Sequence, residues 1–228
     1  MATHLDLEEQ EQLDQLKSFW SQYGNLITWA LILALGAYAA WNGWNWWQRE
    51  QAAKAAALFD ELDRAAQAGD ADKAGRAFND LKDRYAGTAF AEQGGLLAAK
   101  VQAEKGNNDA ARASLGWVAD HAVETEYRTV ARLRLSGMLM DAKQYEAALK
   151  TLDAAASPAF EALVADRRGD ALLAMGRKDE ARAAYEKAWK TMDSSVEYRR
   201  LIEAKLAALG AAATTAATPA SSASGAKP

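Results

Sequence analysis

The chain has no cysteine among its 228 residues, which excludes disulfides, thiol nucleophiles and cysteine-ligated metal centres together. That absence fits an oxidising compartment. Histidine is almost as scarce. His4 lies near the start and His121 follows Trp117 and Asp120 at the end of an expected helix, too little material for a histidine triad or a multi-histidine metal site. A glycine-rich phosphate loop and a zinc-protease motif are both missing. Acidic pairs such as Asp60 with Glu61, or Glu124 with Glu126, read as solvated helix starts and faces, lacking the partner that acid–base catalysis needs. No catalytic, cofactor-binding or metal-ligating residue is therefore assigned, and a non-enzyme is expected. Basic excess is also absent. The formal net charge is −4, residues 49–209 are nearly neutral, and no basic stripe points to nucleic acid.

Charge itself disappears from residue 18 to residue 48, and within that window residues 26–47 form one apolar stretch bordered by tryptophan. At about 1.5 Å per residue such a helix reaches roughly 33 Å, against a hydrocarbon core of about 30 Å. Trp20 and Tyr23 precede the stretch, while Trp41, Trp44, Trp46 and Trp47 crowd its far end, where amphipathic rings favour the headgroup level. A buried core helix rarely stays uncharged so long. Ala37-Tyr38-Ala39 offers a signal-peptidase-like triplet, yet the preceding leader is acidic (Asp6, Glu8, Glu9, Glu11 and Asp14 against Lys17) and the apolar segment too long for a cleaved signal. The expectation is an acidic N-terminal segment at 1–25 and a transmembrane helix at 26–47 in a lipid bilayer. Along that helix Ala30, Ala34 and Ala37 share one face, and Gly36, Ala40 and Gly43 make a second small-residue line. Either line suits close approach of another membrane helix, and an alanine-rich helix also produces such lines by chance.

The remainder reads as a repeat array. GDALLAMGRKDEARAAYEKA, from Gly169 to Ala188, places Gly169, Gly176, Ala181, Tyr185 and Ala188 at the small and large packing positions of a tetratricopeptide repeat. LSGMLMDAKQYEAALKTLDAA repeats the pattern with Leu135, Tyr145, Ala148, Leu152 and Ala155. Ala74 and Ala111 mark two weaker units, in which Leu62 and Ala99 stand where the helix-crossing glycine is expected. A generic helical bundle is the alternative for that first half. The expected fold class is all-α: a repeat domain over 48–209 with units near 52–86, 88–122, 125–156 and 160–190. A capping helix follows at 194–209, signalled by Asp193-Ser194-Ser195 and by Tyr198, Ile202, Leu206 and Leu209, with Arg199, Arg200 and Lys205 facing water. Residues 210–228 lack large apolar side chains and are expected to form a disordered tail.

Stacked helix pairs present their first helices on a concave side. Transferring the repeat positions predicts a protein-binding groove containing Leu96, Lys100, Leu133, Met140, Asp166, Asp170 and Leu173, apolar anchors alternating with charges as an extended polypeptide requires. The same helical spacing places Leu133 and Met140 in the core with equal ease.

Taken together, the chain resembles the YfgM-type ancillary subunits of the bacterial SecYEG translocon. The residues that carry the likeness are LKSFWSQYG at 16–24, ALKTLD at 148–153 and VADRRGDALL at 164–173, within an overall match over about 10–209. The resemblance implies a single-pass inner-membrane protein with a cytoplasmic N-terminus and periplasmic repeats. Its implied partners are the SecYEG translocon, a membrane-anchored periplasmic prolyl isomerase chaperone, and the exported client polypeptides whose folding it assists. Charge counting points the other way, since Lys17 alone precedes the apolar stretch while Arg49, Lys54 and Arg64 follow it, favouring cytoplasmic repeats. A cytoplasmic-facing scaffold of reversed topology and a structural subunit of an envelope assembly are the alternative readings.

Overall fold

A computed structural model describes residues 7–155 and 157–210. The expected tail beyond Gly210 and the first six residues of the acidic segment lie outside the described residues. Those described are helical, without a strand among them, so the fold is all-α as expected. The chain divides between Ala53 and Lys54 into two units.

The first unit is a stretch of the helix α1, Leu7–Gln67, whose apolar portion is long enough to cross a membrane. Its large side chains are exposed, Trp29 at 60% and Leu33 at 70% for example, the pattern of a helix that meets lipid instead of a protein interior.

The second unit is built of helix pairs. The end of α1 pairs with α2 (Ala71–Tyr85), α3 (Ala89–Glu104) with α4 (Asn108–His121), α5 (Thr125–Asp141) with α6 (Tyr145–Asp153), and α7 (Glu161–Ala174) with α8 (Lys178–Thr191). A last helix, α9 (Arg199–Ala208), follows. Local signals start these helices. Asp70 accepts the Lys73 N–H at 2.9 Å to open α2, and the Thr88 hydroxyl accepts the Ala91 N–H at 3.3 Å to open α3. The first helix of each pair ends on a left-handed residue, at Gly69, Gly106, Lys143 and Gly176. Each turn closes by the same two backbone bonds, as in Gly176 N–H to Leu173 O and Arg177 N–H to Leu172 O, both 2.9 Å.

Those four turns lie five residues before Ala74, Ala111, Ala148 and Ala181, and each of these alanines is fully buried. One helical turn later come Phe78, Leu115, Leu152 and Tyr185, all within 2% of complete burial. Facing them from the first helices are Leu62, Ala99, Ser136 and Gly169, again buried. The register therefore runs through all four pairs, including the two weaker ones. In the second unit the close approach sits one turn earlier, where a Cβ on Gly95 would run into Val118 Cγ2 on α4; towards α2 of the preceding unit, a Cβ on Gly95 would also lie 2.9 Å from Phe78 Cζ and one on Gly94 2.8 Å from Leu81 Cδ1. Gly169 makes the equivalent approach in the fourth unit, where a Cβ would lie 2.6 Å from Tyr185 Cδ1.

Apolar packing forms a series of local cores, as a solenoid requires. Leu62, Phe78 and Leu81 anchor the first, Leu96, Leu115 and Val118 the second, and Tyr185, Ile202 and Leu206 the last, with Trp117 packed against both of the first two. Polar staples tie consecutive units: the Val123 N–H donates to Glu92 Oε1 at 2.6 Å, and the Ser157 N–H donates to Thr129 Oγ1 at 3.2 Å. Asp193-Ser194-Ser195, expected as a helix cap, is instead a turn in which Asp193 Oδ1 accepts from the Ser195 N–H and hydroxyl at 2.8 and 2.7 Å. The capping helix begins later, at Arg199.

Candidate protein-binding surface

The first helices α3, α5 and α7 carry the seven groove residues derived from the repeat spacing, and they occupy four different environments. Leu96 is in the core, packed with Ala99, Leu115 and Val118, so its side chain is not available to a ligand. Leu133 and Met140 are half-buried on α5. Lys100 and Leu173 are exposed, Lys100 3.9 Å from Glu104 one turn along its own helix, a pairing that contributes about 0.3–0.5 kcal/mol at most. Cross-links run between these first helices: Arg134 on α5 donates to Leu96 O on α3 at 3.3 Å, and Arg167 on α7 lies over Gly137 on α5. Leu133 and Met140, seven residues apart on one face of α5, and Leu173 on α7 thus keep apolar surface open to a ligand, and Lys100 and Arg134 are exposed on neighbouring first helices.

Asp166 and Asp170 form a different arrangement, at the end of the array. They are one turn apart on α7, and the Lys205 ammonium on α9 donates to Asp166 Oδ1 and Oδ2 at 2.8 and 2.9 Å and to Asp170 Oδ1 at 2.7 Å. Two phenols complete the cluster: Tyr198 Oη donates to Asp166 Oδ2 and Tyr185 Oη to Asp170 Oδ1, each at 2.8 Å. Lys205 Nζ also stands 5.2 Å from the Tyr185 ring centre, in cation–π range. Burial first, then the bond to Asp166, pushes the Tyr198 phenol up to about 12, and burial followed by the bond to Asp170 pushes Tyr185 up as well. Both phenols therefore remain donors at neutral pH. Asp166 is 2% exposed, so the carboxylate expected to greet a ligand is spent inside the protein. Lys205, expected to face water, is the centre of the cluster, and Arg199, likewise expected outside, stacks over Trp189 at 4.2 Å. Arg200 is exposed. The sequence signal that finds Lys205 is its place one turn after Ile202 and Leu201, on the edge of the buried face, where a long aliphatic stem lies along apolar surface while the ammonium reaches a partner.

A second buried carboxylate, Glu92, is 1% exposed. Burial raises its pKa, more than the bond from Val123 lowers it, and its Oε2 has no hydrogen-bond partner. A cleft of about 320 Å³ beside the α6–α7 connection is lined by Ser157, Pro158, Val164, Arg168 and Lys187, but its cations are already paired, Arg168 with Asp153 and Lys187 with Glu161. No three His, Asp or Glu side chains converge on a metal position among the described residues. Chemically the arrangement offers apolar contact and fixed charge, the means of binding polypeptide. On α1, the small residues Ala30, Ala34, Ala37, Gly36, Ala40 and Gly43 are all exposed, and a Cβ added at Gly36 or Gly43 would meet nothing within 4 Å.

Comparison with known proteins covers the same architecture. Residues 17–211 match the family described as tetratricopeptide repeat-like domain. A protein of Neisseria gonorrhoeae named ancillary SecYEG translocon subunit is 30% identical over 210 residues, 92% of this chain and 100% of the relative. Proteins of the same name from Escherichia coli and Haemophilus influenzae are 33% and 31% identical, over 78% and 80% of this chain and 85% and 89% of the relatives.

Proposed function

This chain belongs to the tetratricopeptide repeat-like family and, within it, to the family of ancillary SecYEG translocon subunits, and from that premise we propose that it is a membrane-anchored, non-enzymatic interaction subunit of the SecYEG translocon. The observation that carries the reading is the pairing, in one chain, of a helix long enough to span a bilayer with a helix-pair array, matched over the full length of a translocon subunit. In this reading α1 anchors the protein in the bacterial inner membrane, with the N-terminus cytoplasmic and the repeats periplasmic. Tethering raises the local concentration of the repeat surface where exported chains emerge. The open apolar surface of Leu133, Met140 and Leu173, with the exposed Arg134 and Lys100, binds those chains without covalent chemistry, alongside a membrane-anchored prolyl isomerase chaperone.

Affinity purification of the full chain after mild detergent extraction tests the assembly: SecYEG components are expected at near-stoichiometric recovery, and their absence overturns the reading. Orientation has its own test, because the flanking charges favour cytoplasmic repeats. A reporter active only in the periplasm, fused after Leu209, is expected to be active, and an inactive fusion reverses the topology. Photo-crosslinking from Met140 or Leu173 separates the two roles of the surface, many short-lived adducts indicating exported clients and one stable adduct a permanent structural partner.

A further inference from the structure

The helix α1 carries an apolar seam that outlasts its apolar stretch. Leu13, Leu16, Trp20, Tyr23 and Ile27 recur at alternating spacings of three and four, and the same register runs on through Ala30, Ala34 and Ala37 to Trp41 and Trp44. That repeat is the pattern of a helix packed along a second helix, with one face kept in contact over many turns. Within the hydrocarbon the seam narrows to alanine while the flanking faces hold Leu26, Trp29, Leu31, Leu33 and Leu35. The bulk therefore points to lipid and the smooth face to a neighbouring helix. Before the uncharged stretch the seam becomes large again, and there lipid does not cover it: Leu13 and Leu16, among charged neighbours, are 50% and 62% exposed. Apolar side chains held in register on a helix outside the hydrocarbon need a protein partner to leave water.

Charge identifies that partner. The helix segment that bears Leu13 and Leu16 also carries Glu8, Glu9, Glu11 and Asp14 against Lys17 alone. A second copy in parallel would set this acidic segment against itself, and an anionic leaflet would repel it. Polytopic membrane proteins, in contrast, concentrate Lys and Arg in their cytoplasmic loops. We infer that the Leu13–Leu16–Trp20–Tyr23–Ile27 seam docks along a transmembrane helix of a polytopic membrane protein, with the acidic turns before it seated on that protein's basic cytoplasmic loop. The inference rests on the proposed orientation of α1 and adds the surface and the chemistry of the contact.

The test places a photo-crosslinking residue at Leu16, Tyr23 or Ile27 on the seam, and at Ser21, Leu26 or Leu35 off it, in the full-length protein in native membranes. Adducts to one polytopic protein are expected from the seam positions alone, with the Leu16 adduct mapping to a Lys- and Arg-rich cytoplasmic segment. Replacing Glu8, Glu9, Glu11 and Asp14 by Lys is expected to cut the Leu16 adduct at least fivefold at equal protein level while leaving a periplasmic reporter after Leu209 active. Adducts between two copies of this chain, adducts to lipid only, equal yields from both faces, or a Leu16 yield unchanged by charge reversal would each overturn the inference. The two proposals fail separately: SecYEG recovery without a seam adduct removes this inference alone, and a seam adduct to an unrelated polytopic protein removes the translocon reading alone.

Discussion

Glu92 in the second unit and Asp166 in the fourth are both carboxylates sealed from water, at 1% and 2% exposure, yet they are provided for in opposite ways. Asp166 is met by an ammonium and a phenol, and every donor around it belongs to an element that must be held: Lys205 and Tyr198 both come from the α9 region. Glu92 takes one backbone N–H and leaves an oxygen orphaned. A buried ion with a full set of partners fastens one element to another, whereas a buried ion with half a set holds its contact at a standing cost. In the array, the fully met carboxylate lies at the open end, where α9 has only one side covered by repeats. The poorly met one lies in the interior, where neighbouring pairs hold the chain regardless.

The largest expected effect follows from removing the fully met carboxylate. Asp166→Ala leaves the Lys205 ammonium with Asp170 alone and the Tyr198 hydroxyl unpaired, and is expected to cost about 3 kcal/mol. Hydrogen exchange on the full chain in detergent reads it directly, with the amides of residues 199–208 exchanging roughly a hundredfold faster while those of α3 and α4 hold their rates. Uniform acceleration across the array would show that Asp166 supports the whole domain and not its end.

Close helix approach extends the comparison between the two units. Gly95 and Gly169 each face buried side chains closer than a Cβ tolerates, so Gly95→Ala and Gly169→Ala are each expected to destabilise by about 2 kcal/mol. Gly116, on α4 with nothing within 4 Å of a Cβ, reverses the sign, and Gly116→Ala is expected to stabilise by about 0.5–1 kcal/mol through helix propensity. Thermal unfolding of the three variants, followed by helical circular dichroism, orders them.

Glu92 predicts a pH dependence. Its folded pKa is raised, so its contribution to stability is complete below the unfolded value of 4.5 and is lost as pH rises through the folded value. Glu92→Gln keeps an acceptor for the Val123 N–H and removes the buried charge. At pH 7 the variant is expected to be more stable by about 1 kcal/mol, and the difference to vanish near pH 4. Asp193 runs in the opposite sense, because the Ser195 N–H and hydroxyl lower its pKa. Its contribution is present above the unfolded value of 3.8 and lost as pH falls through the folded one. A variant whose stability follows the native pH profile would show that Glu92 is not the group that titrates.

What the sequence reveals divides along the same line. Apolar period and small-residue register are properties of single positions, and they locate Ala74, Ala111, Ala148, Ala181 and Tyr185 as well as the glycine turns. Pairings between distant positions leave no such mark. Asp166 and Asp170 look like surface charges on a first helix, and Lys205 looks like a solvated face, until α9 is placed against α7 and the three become one cluster. Gly94 and Gly95 escape for a different reason: the close approach in the second unit is one turn away from its place in the fourth, so a fixed register looks past them. Leu96 shows the limit of spacing alone, since the same helical period serves a groove and a core, and packing against Val118 decides for the core.

Lys143 gives an effect as small as that of Gly116 and the sharpest form of the comparison between units. The turn that ends the first helix is glycine in three units, with φ of 66°, 80° and 77°, but lysine in the third, with φ of 58°. Its two closing bonds, Lys143 N–H to Met140 O and Gln144 N–H to Leu139 O, are both 2.8 Å, so the backbone geometry is held by the repeat and not by the residue. A side chain in this conformation costs about 1–2 kcal/mol, and the greater freedom of glycine in the unfolded chain returns part of that difference. Lys143 is exposed, so its loss removes no packing. Lys143→Gly is therefore expected to stabilise the full chain by about 0.5–1 kcal/mol, and Gly106→Lys to destabilise it by a similar amount. Equal and opposite shifts in the unfolding midpoint would show that the four turns are one device at four positions, and a loss of stability in Lys143→Gly would show that the third turn depends on the lysine itself.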